Sequence, residues 1–345
     1  MADQGQDADE VEGVNAARLR TWVAERGIPL EGELSVERLS GGSSNLTFRV
    51  RDDVNDWVLR RPPLRGALPT AHDMGREFIV QQGLAGSEVP VARVVALCRE
   101  PAVIGADFYL MDYVEGVFHT SAAACAALRP EDAAGAAFAL IDTMAALQAV
   151  DPVSVGLEGW APPEPYLDRQ LRRWRSQWER SRRSELPLID GLLDRLVETR
   201  PDPRPPSIVH GDYNLANVMF QRDQPARVAA VLDWELSTLG EPLADLGQLV
   251  AYWGGAGRLL FESRGGHLPD ANPGFPSASE LVARYEQVTG RQADALDWFE
   301  VFATVKLAII VAGAQARLRD QDPERADHSW GLVRQLAEIA SALPG

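Results

Sequence analysis

A single lysine, Lys306, stands among the 34 lysines and arginines of this 345-residue chain. That scarcity excludes several mechanisms. A phosphate-binding loop of the Gly-Lys-Ser/Thr type is absent, because Lys306 lies between Val305 and Leu307. A pyridoxal Schiff base could form only at that residue. Cysteine is nearly as scarce. Cys98 and Cys125 make neither a CxxC pair nor a metal-ligand spacing, which predicts a reduced, cytoplasmic setting. Positive charge is in deficit overall, with a formal net charge of −16, and this argues against nucleic-acid binding. The most apolar run, residues 301–314, is short for a bilayer span and is broken by Lys306, so a buried core helix is expected and no membrane partner. Residues 1–13 carry Asp3, Asp7, Asp9, Glu10 and Glu12 without a basic or apolar region. They read as a flexible acidic tail and not as a signal peptide.

What is present divides into two halves. The length suits one large domain or two modest ones, with enough chain to bury a core. Residues 14–26 read as a helix that stops at Gly27 before Pro29. Residues 34–39 and 46–50 alternate around the glycine-led turn Gly41-Gly42-Ser43-Ser44-Asn45, and residues 57–60 form a third strand that ends at Pro62-Pro63. A helix over 71–84 and strands over 91–97 and 108–114 complete a five-strand sheet with one inserted helix. After Gly116 the pattern turns helical, over 131–150, 167–183, 188–200, 242–253, 278–289, 293–318 and 326–343. A strand-loop-strand unit covers 208–233, and the Gly- and Pro-rich stretch 254–276 reads as a surface loop. The expected organisation is an N-terminal lobe over 14–114 and a C-terminal lobe over 115–345.

The strongest chemical signal is Val209-His210-Gly211-Asp212-Tyr213-Asn214-Leu215-Ala216-Asn217, followed by Val231-Leu232-Asp233-Trp234-Glu235. Phosphoryl transfer explains the three key residues together. An incoming hydroxyl needs a carboxylate to orient it and take its proton, and Asp212 fits that role. A triphosphate brings Mg²⁺, a hard cation that takes oxygen ligands, and Asn217 and Asp233 offer an amide oxygen and a carboxylate. His210 reads as structural, since no Gly-x-Ser-x-Gly elbow accompanies it. Glu235 ranks below the other two as a cation ligand.

The order His-x-Asp, four residues, Asn, then a downstream Asp resembles the catalytic loop and metal Asp of the protein-kinase-like superfamily. Gly211 and the pair Asp233-Trp234 match the aminoglycoside phosphotransferase and choline kinase family. The stretch from Leu232 through Gly240-Glu241-Pro242-Leu243-Ala244-Asp245 is closest to the subgroup that includes the kinase-like domains of acyl-CoA dehydrogenase fusion proteins. The resemblance implies an α+β, two-lobed protein-kinase-like fold with ATP and Mg²⁺ bound between the lobes. It also implies transfer of the γ-phosphoryl group to a small-molecule hydroxyl.

The resemblance places further residues. Gly42, Ser43, Ser44 and Asn45 fall at the hairpin that covers the nucleotide phosphates, where glycine allows close backbone approach. Arg60 takes the strand position normally held by lysine, with Glu77 as its helix partner. Arg61 is the competing arginine, turned to the opposite face by strand alternation. Met111 and Tyr113 fall in the segment that holds adenine through backbone groups. Asp245 is either a brace for the catalytic loop or a helix-terminal charge. The arginine-rich run 169–183 is either a solvated helix face or a receiver for an acidic substrate such as a CoA ester. The acceptor implied by the subgroup is a hydroxyacyl-CoA. The alternatives are an aminoglycoside or other antibiotic, or a pseudokinase that binds nucleotide without turnover. The oligomeric state is not encoded in any readable motif.

Overall fold

Alternation in the first half becomes a five-stranded antiparallel sheet. Its order is Ser35–Arg38, Leu46–Arg51, Asp56–Arg61, Phe108–Asp112 and Val94–Cys98. The computed structural model describes residues 10–39, 45–64, 73–262, 266–318 and 323–344. Because side chains alternate along a strand, Trp57 and Leu59 enter one core with Phe48, Val50, Phe108 and Leu110. The helix Ala16–Glu25 covers that face with Leu19, Trp22 and Val23. Val58 enters a second core with Met74, Tyr109 and Met111 on the opposite face. The helix Met74–Leu84 begins there, where the Asp73 side chain accepts the amide protons of Gly75 and Arg76.

The chain clusters into two compact units. The first comprises Met1–Gly86, Val91–Glu115 and Asp233–Glu235, and the second Ser87–Pro90, Gly116–Leu232 and Leu236–Gly345. A single cut at 114/115 misses the return of residues 233–235 to the first unit. Of the expected tail, Glu10–Val11 pairs with Val14–Asn15 in a small hairpin, and residues 1–9 lie outside the described residues.

In the second unit, short strand pairs frame the expected catalytic loop. Ser207–Val209 pairs with Thr238–Gly240, and Val218–Phe220 pairs with Val228–Val231. The Thr238–Gly240 strand went unread in the sequence because it has three residues and no alternation. Helix Leu243–Trp253 is buried on nearly every side. Gly247 on it sits so close to Phe299 of helix Leu296–Leu318 that a Cβ would lie 2.6 Å from the Phe299 Cβ. Helix Leu296–Leu318 lies within the expected helix 293–318 and extends past the apolar run at both ends. Its stretch Leu296–Ala316 is apolar and long enough for a bilayer, but most of it is buried within the unit. The expected surface loop over 254–276 contains a helix, Gly255–Glu262, whose Ala256 and Gly257 are buried.

Candidate active site

In the first unit, two of the expected nucleotide residues, Arg60 and Asn45, meet at Glu77. Arg60 lies opposite Tyr109 in the sheet register, on the face that helix Met74–Leu84 covers. The Arg60 Nε is 2.8 Å from the Glu77 carboxylate, and its other arm pairs with Asp233. Tyr109 donates its hydroxyl to Glu77 at 3.0 Å, and Asn45 donates its amide to Glu77 at 2.9 Å and to Glu235 at 3.2 Å. Glu77 is only 1% exposed. Burial pushes its carboxyl up to about 7, against the opposing pull of Arg60. For Arg60, burial works against the charge, but Glu77 and Asp233 outweigh it and hold the guanidinium above its ordinary value. Asp233 adopts φ +67°, a left-handed backbone that costs a non-glycine residue about 1 kcal/mol or more.

Arg61 turns the other way. It is 4% exposed and donates to the carbonyls of Gly13, Ile104 and Pro62. Met111 lies inside the sheet, opposite Val58 on one side and Val94 on the other. Tyr113 donates its backbone N–H to Asp56 at 2.9 Å, so that amide is already used, and the Arg49 guanidinium covers its ring. Gly42, Ser43 and Ser44 lie outside the described residues.

In the second unit, the loop 210–217 is held from several sides. Asp245 is fully buried and accepts the amide protons of His210 at 2.7 Å and Gly211 at 2.8 Å. Of the two readings of Asp245, the geometry is that of the brace. His210 Nδ1 accepts from the Asp212 amide, which leaves Nε2 to donate to the Leu232 carbonyl at 2.8 Å. Gly211 has φ +83°, and a Cβ there would sit 2.5 Å from the Leu236 carbonyl oxygen, so glycine is required. The Asp212 carboxylate accepts from Gln248 on one oxygen and from Asn217 on the other, both at 3.1 Å. Asn217 also turns its amide nitrogen to the Asp212 carbonyl at 2.8 Å. Its amide nitrogen is therefore committed to Asp212. The Asn217 carbonyl accepts from Leu232, the residue that precedes Asp233.

Gln248 and Lys306 were not read from the sequence as neighbours of the loop. Lys306 donates to the Gly211 carbonyl at 2.5 Å and to Gln248 at 3.1 Å. No local pattern marks either one, because each reaches the loop from a distant helix.

The basic run resolves toward the structural reading. Helix Tyr166–Ser181 buries Leu171, Trp174 and Trp178 on one face. Arg172 pairs with Glu164, Arg175 with Asp194, Arg182 with Asp190 and Arg183 with Asp327. These partners satisfy much of the charge that an acidic substrate would have needed. Beside the loop 210–217, a small apolar hollow is lined by Leu215, Leu249, Tyr252, Trp253, Phe261 and Leu268.

A five-stranded antiparallel sheet followed by a mainly helical part, with a His-Gly-Asp loop braced by a buried aspartate, defines a kinase-like phosphotransferase fold. Residues 35–281 match the model of the APH phosphotransferase enzyme family, and the chain belongs to that family. It is similar to human acyl-CoA dehydrogenase family member 11, with 30% identity over 342 residues covering 98% of this chain and 43% of that protein. The chain thus spans about two fifths of the length of that relative. A crystal structure from Ralstonia eutropha, provisionally assigned as an aminoglycoside phosphotransferase, is 31% identical with a TM-score of 0.77, covering 95% of this chain and 99% of that one. Aminoglycoside phosphotransferase APH(4)-Ia, solved as a thermostable mutant with AMP-PNP and hygromycin B, shares the fold at 14% identity and a TM-score of 0.61, over 94% of this chain and 98% of its own.

Proposed function

We propose that this protein is an ATP-dependent small-molecule kinase. In this reading it moves the γ-phosphoryl group of ATP to a hydroxyl of an acceptor with an apolar portion, of which a hydroxyacyl-CoA is the leading candidate. The observation that carries the reading is the Asp212 carboxylate, held on both oxygens by side-chain amides on a loop braced by Asp245. A carboxylate only accepts, so amide donors on both oxygens fix its direction. Asp212 then orients the hydroxyl and takes its proton as the oxygen attacks the γ-phosphorus and ADP departs. Arg60, steadied by Glu77, supplies a forked donor for phosphate oxygens that stays charged at any physiological pH. Met111, Tyr113 and the turn Gly42-Ser43-Ser44-Asn45 complete the proposed nucleotide site.

Asn217 and Asp233 would hold Mg²⁺. The donor chemistry fits, an amide oxygen whose nitrogen is committed elsewhere and a carboxylate, and Mg²⁺ commonly uses one or two protein ligands plus phosphates. When bound, the cation neutralises charge on the phosphates.

The similarity to acyl-CoA dehydrogenase family member 11, which covers nearly the whole chain, favours an acyl-bearing acceptor over a polycationic antibiotic. The ion-paired arginines of helix Tyr166–Ser181 carry less of the argument than their number suggests. Cys98 and Cys125 are both buried and unpaired, in keeping with a cytoplasmic setting. The test is a phosphorylation screen of hydroxyacyl-CoAs, aminoglycosides and macrolides with ATP and Mg²⁺. Turnover of a hydroxyacyl-CoA, lowered about 10²- to 10⁴-fold in Asp212→Ala, is expected. Turnover of an aminoglycoside alone would replace the acceptor. ATP binding with no acceptor phosphorylated would favour the pseudokinase reading.

A further inference from the structure

The chain's only lysine is buried, at 7% exposure, in the middle of helix Leu296–Leu318. An ammonium there is expensive unless it is fully engaged. It donates to the Gly211 carbonyl and to the Gln248 side-chain oxygen, and the Trp174 ring lies 5.8 Å away. Asp212 and Asp245 attract it, and Arg173 opposes it.

We propose that Lys306, acting through Gln248, is a positioning residue for Asp212. This rests on the reading of Asp212 as the group that orients the acceptor hydroxyl. An ammonium has three donors and no acceptor, so it fixes the oxygen end of the Gln248 amide toward itself. The nitrogen end is then turned to Asp212, a carboxylate that only accepts. Lys306 therefore decides which way Gln248 points, and Gln248 decides how Asp212 is held. Gly211 is pinned on both sides, its N–H by Asp245 and its carbonyl by Lys306. That carbonyl belongs to the peptide leading into Asp212. Asp245 and Gln248 lie three residues apart on helix Leu243–Trp253, so one helical face serves both contacts. A compact, strongly hydrated ammonium suits this two-way contact, where a planar guanidinium would need more room.

Two variants and one spectrum test the proposal. Lys306→Met removes the charge at similar volume. Gln248→Glu keeps a partner for Lys306 but has no N–H for Asp212. Phosphate transfer is read with the acceptor found in the screen or, failing one, as phosphate release from ATP with water as acceptor. Both variants are expected to lower kcat about 10- to 100-fold with the KM for ATP within about twofold, as for a misplaced catalytic group. Far-UV circular dichroism at the assay temperature shows whether each variant is folded, and a kcat loss in folded Gln248→Glu separates positioning from packing if Lys306→Met folds poorly. Wild-type kcat in Gln248→Glu, or a kcat loss in both variants that only tracks loss of fold, overturns the proposal. Because there is one lysine, protein labelled with ¹³Cε,¹⁵Nζ-lysine gives one side-chain signal. Asp212→Asn should move it, and an unmoved signal overturns the coupling. That spectrum needs no turnover. A wild-type protein without kinase activity would sink the functional reading while the lysine signal still judges this one.

Discussion

Arg60 and Arg61 are adjacent on one strand and have opposite work, because strand alternation sends them to opposite faces. Arg60 meets two carboxylates, while Arg61 donates to backbone carbonyls. Arg60→Ala should raise the KM for ATP by about 10- to 100-fold, the equivalent of one lost charge-assisted contact. Arg61→Ala should leave that KM nearly unchanged and lower the unfolding midpoint instead. Steady-state kinetics and a thermal melt on the two variants separate these outcomes, and equal KM values would remove Arg60 from the proposed nucleotide site. Gly211 is constrained differently, by a positive φ and the nearby Leu236 carbonyl. Gly211→Ala should cost at least about 1 to 2 kcal/mol of stability, measured by urea unfolding.

Helix Leu243–Trp253 is the element that organises the loop. Its Asp245 takes two buried amide protons and its Gln248 takes one oxygen of Asp212. Removing the Asp245 carboxylate leaves two buried N–H groups without partners, each costing about 1 to 3 kcal/mol. Asp245→Ala should therefore destabilise the protein by a few kcal/mol in denaturant unfolding and depress kcat as well. A kcat loss without loss of stability would mean that the brace is not structural. The sequence made the helix legible through its apolar content after Pro242, and it left Asp245 with two readings. Burial decides between them, because a carboxylate on a solvated helix end would not take the two amides of a buried loop.

Across the whole molecule, buried ionisable groups set the pH response. The folded-state pKa of Glu77 is raised to about 7 from 4.5 by burial. A carboxyl with a raised folded pKa favours the folded state fully below the unfolded value, and that contribution is lost as pH rises through the folded value. Between pH 4.5 and 7, wild type should therefore lose up to about 3 kcal/mol relative to Glu77→Gln, which has no proton to release. Paired urea titrations at several pH values measure the difference, and a flat difference would mean that Glu77 keeps an ordinary pKa. Lys306 has the opposite sense, since burial lowers its folded pKa, and its contribution is present above the unfolded value and lost as pH falls.

The five strands, most helices and the spacing of Asp212, Asn217 and Asp233 were legible in the sequence, because period-2 and period-3.6 patterns and short motifs are local. It left several matters to the tertiary structure: the helix Gly255–Glu262, the return of Asp233–Glu235 to the first unit, the ion pairing of the basic helix, and the work of the single lysine. These depend on partners far apart in the chain. Gly211 and Lys306 are separated by 95 positions, and no periodicity links them. Whether a charge is solvated, paired or buried is a property of what surrounds it, and only the packed helices supply those surroundings. The scarcity of lysine was visible at once, whereas the place of the one remaining lysine became visible only in the folded chain.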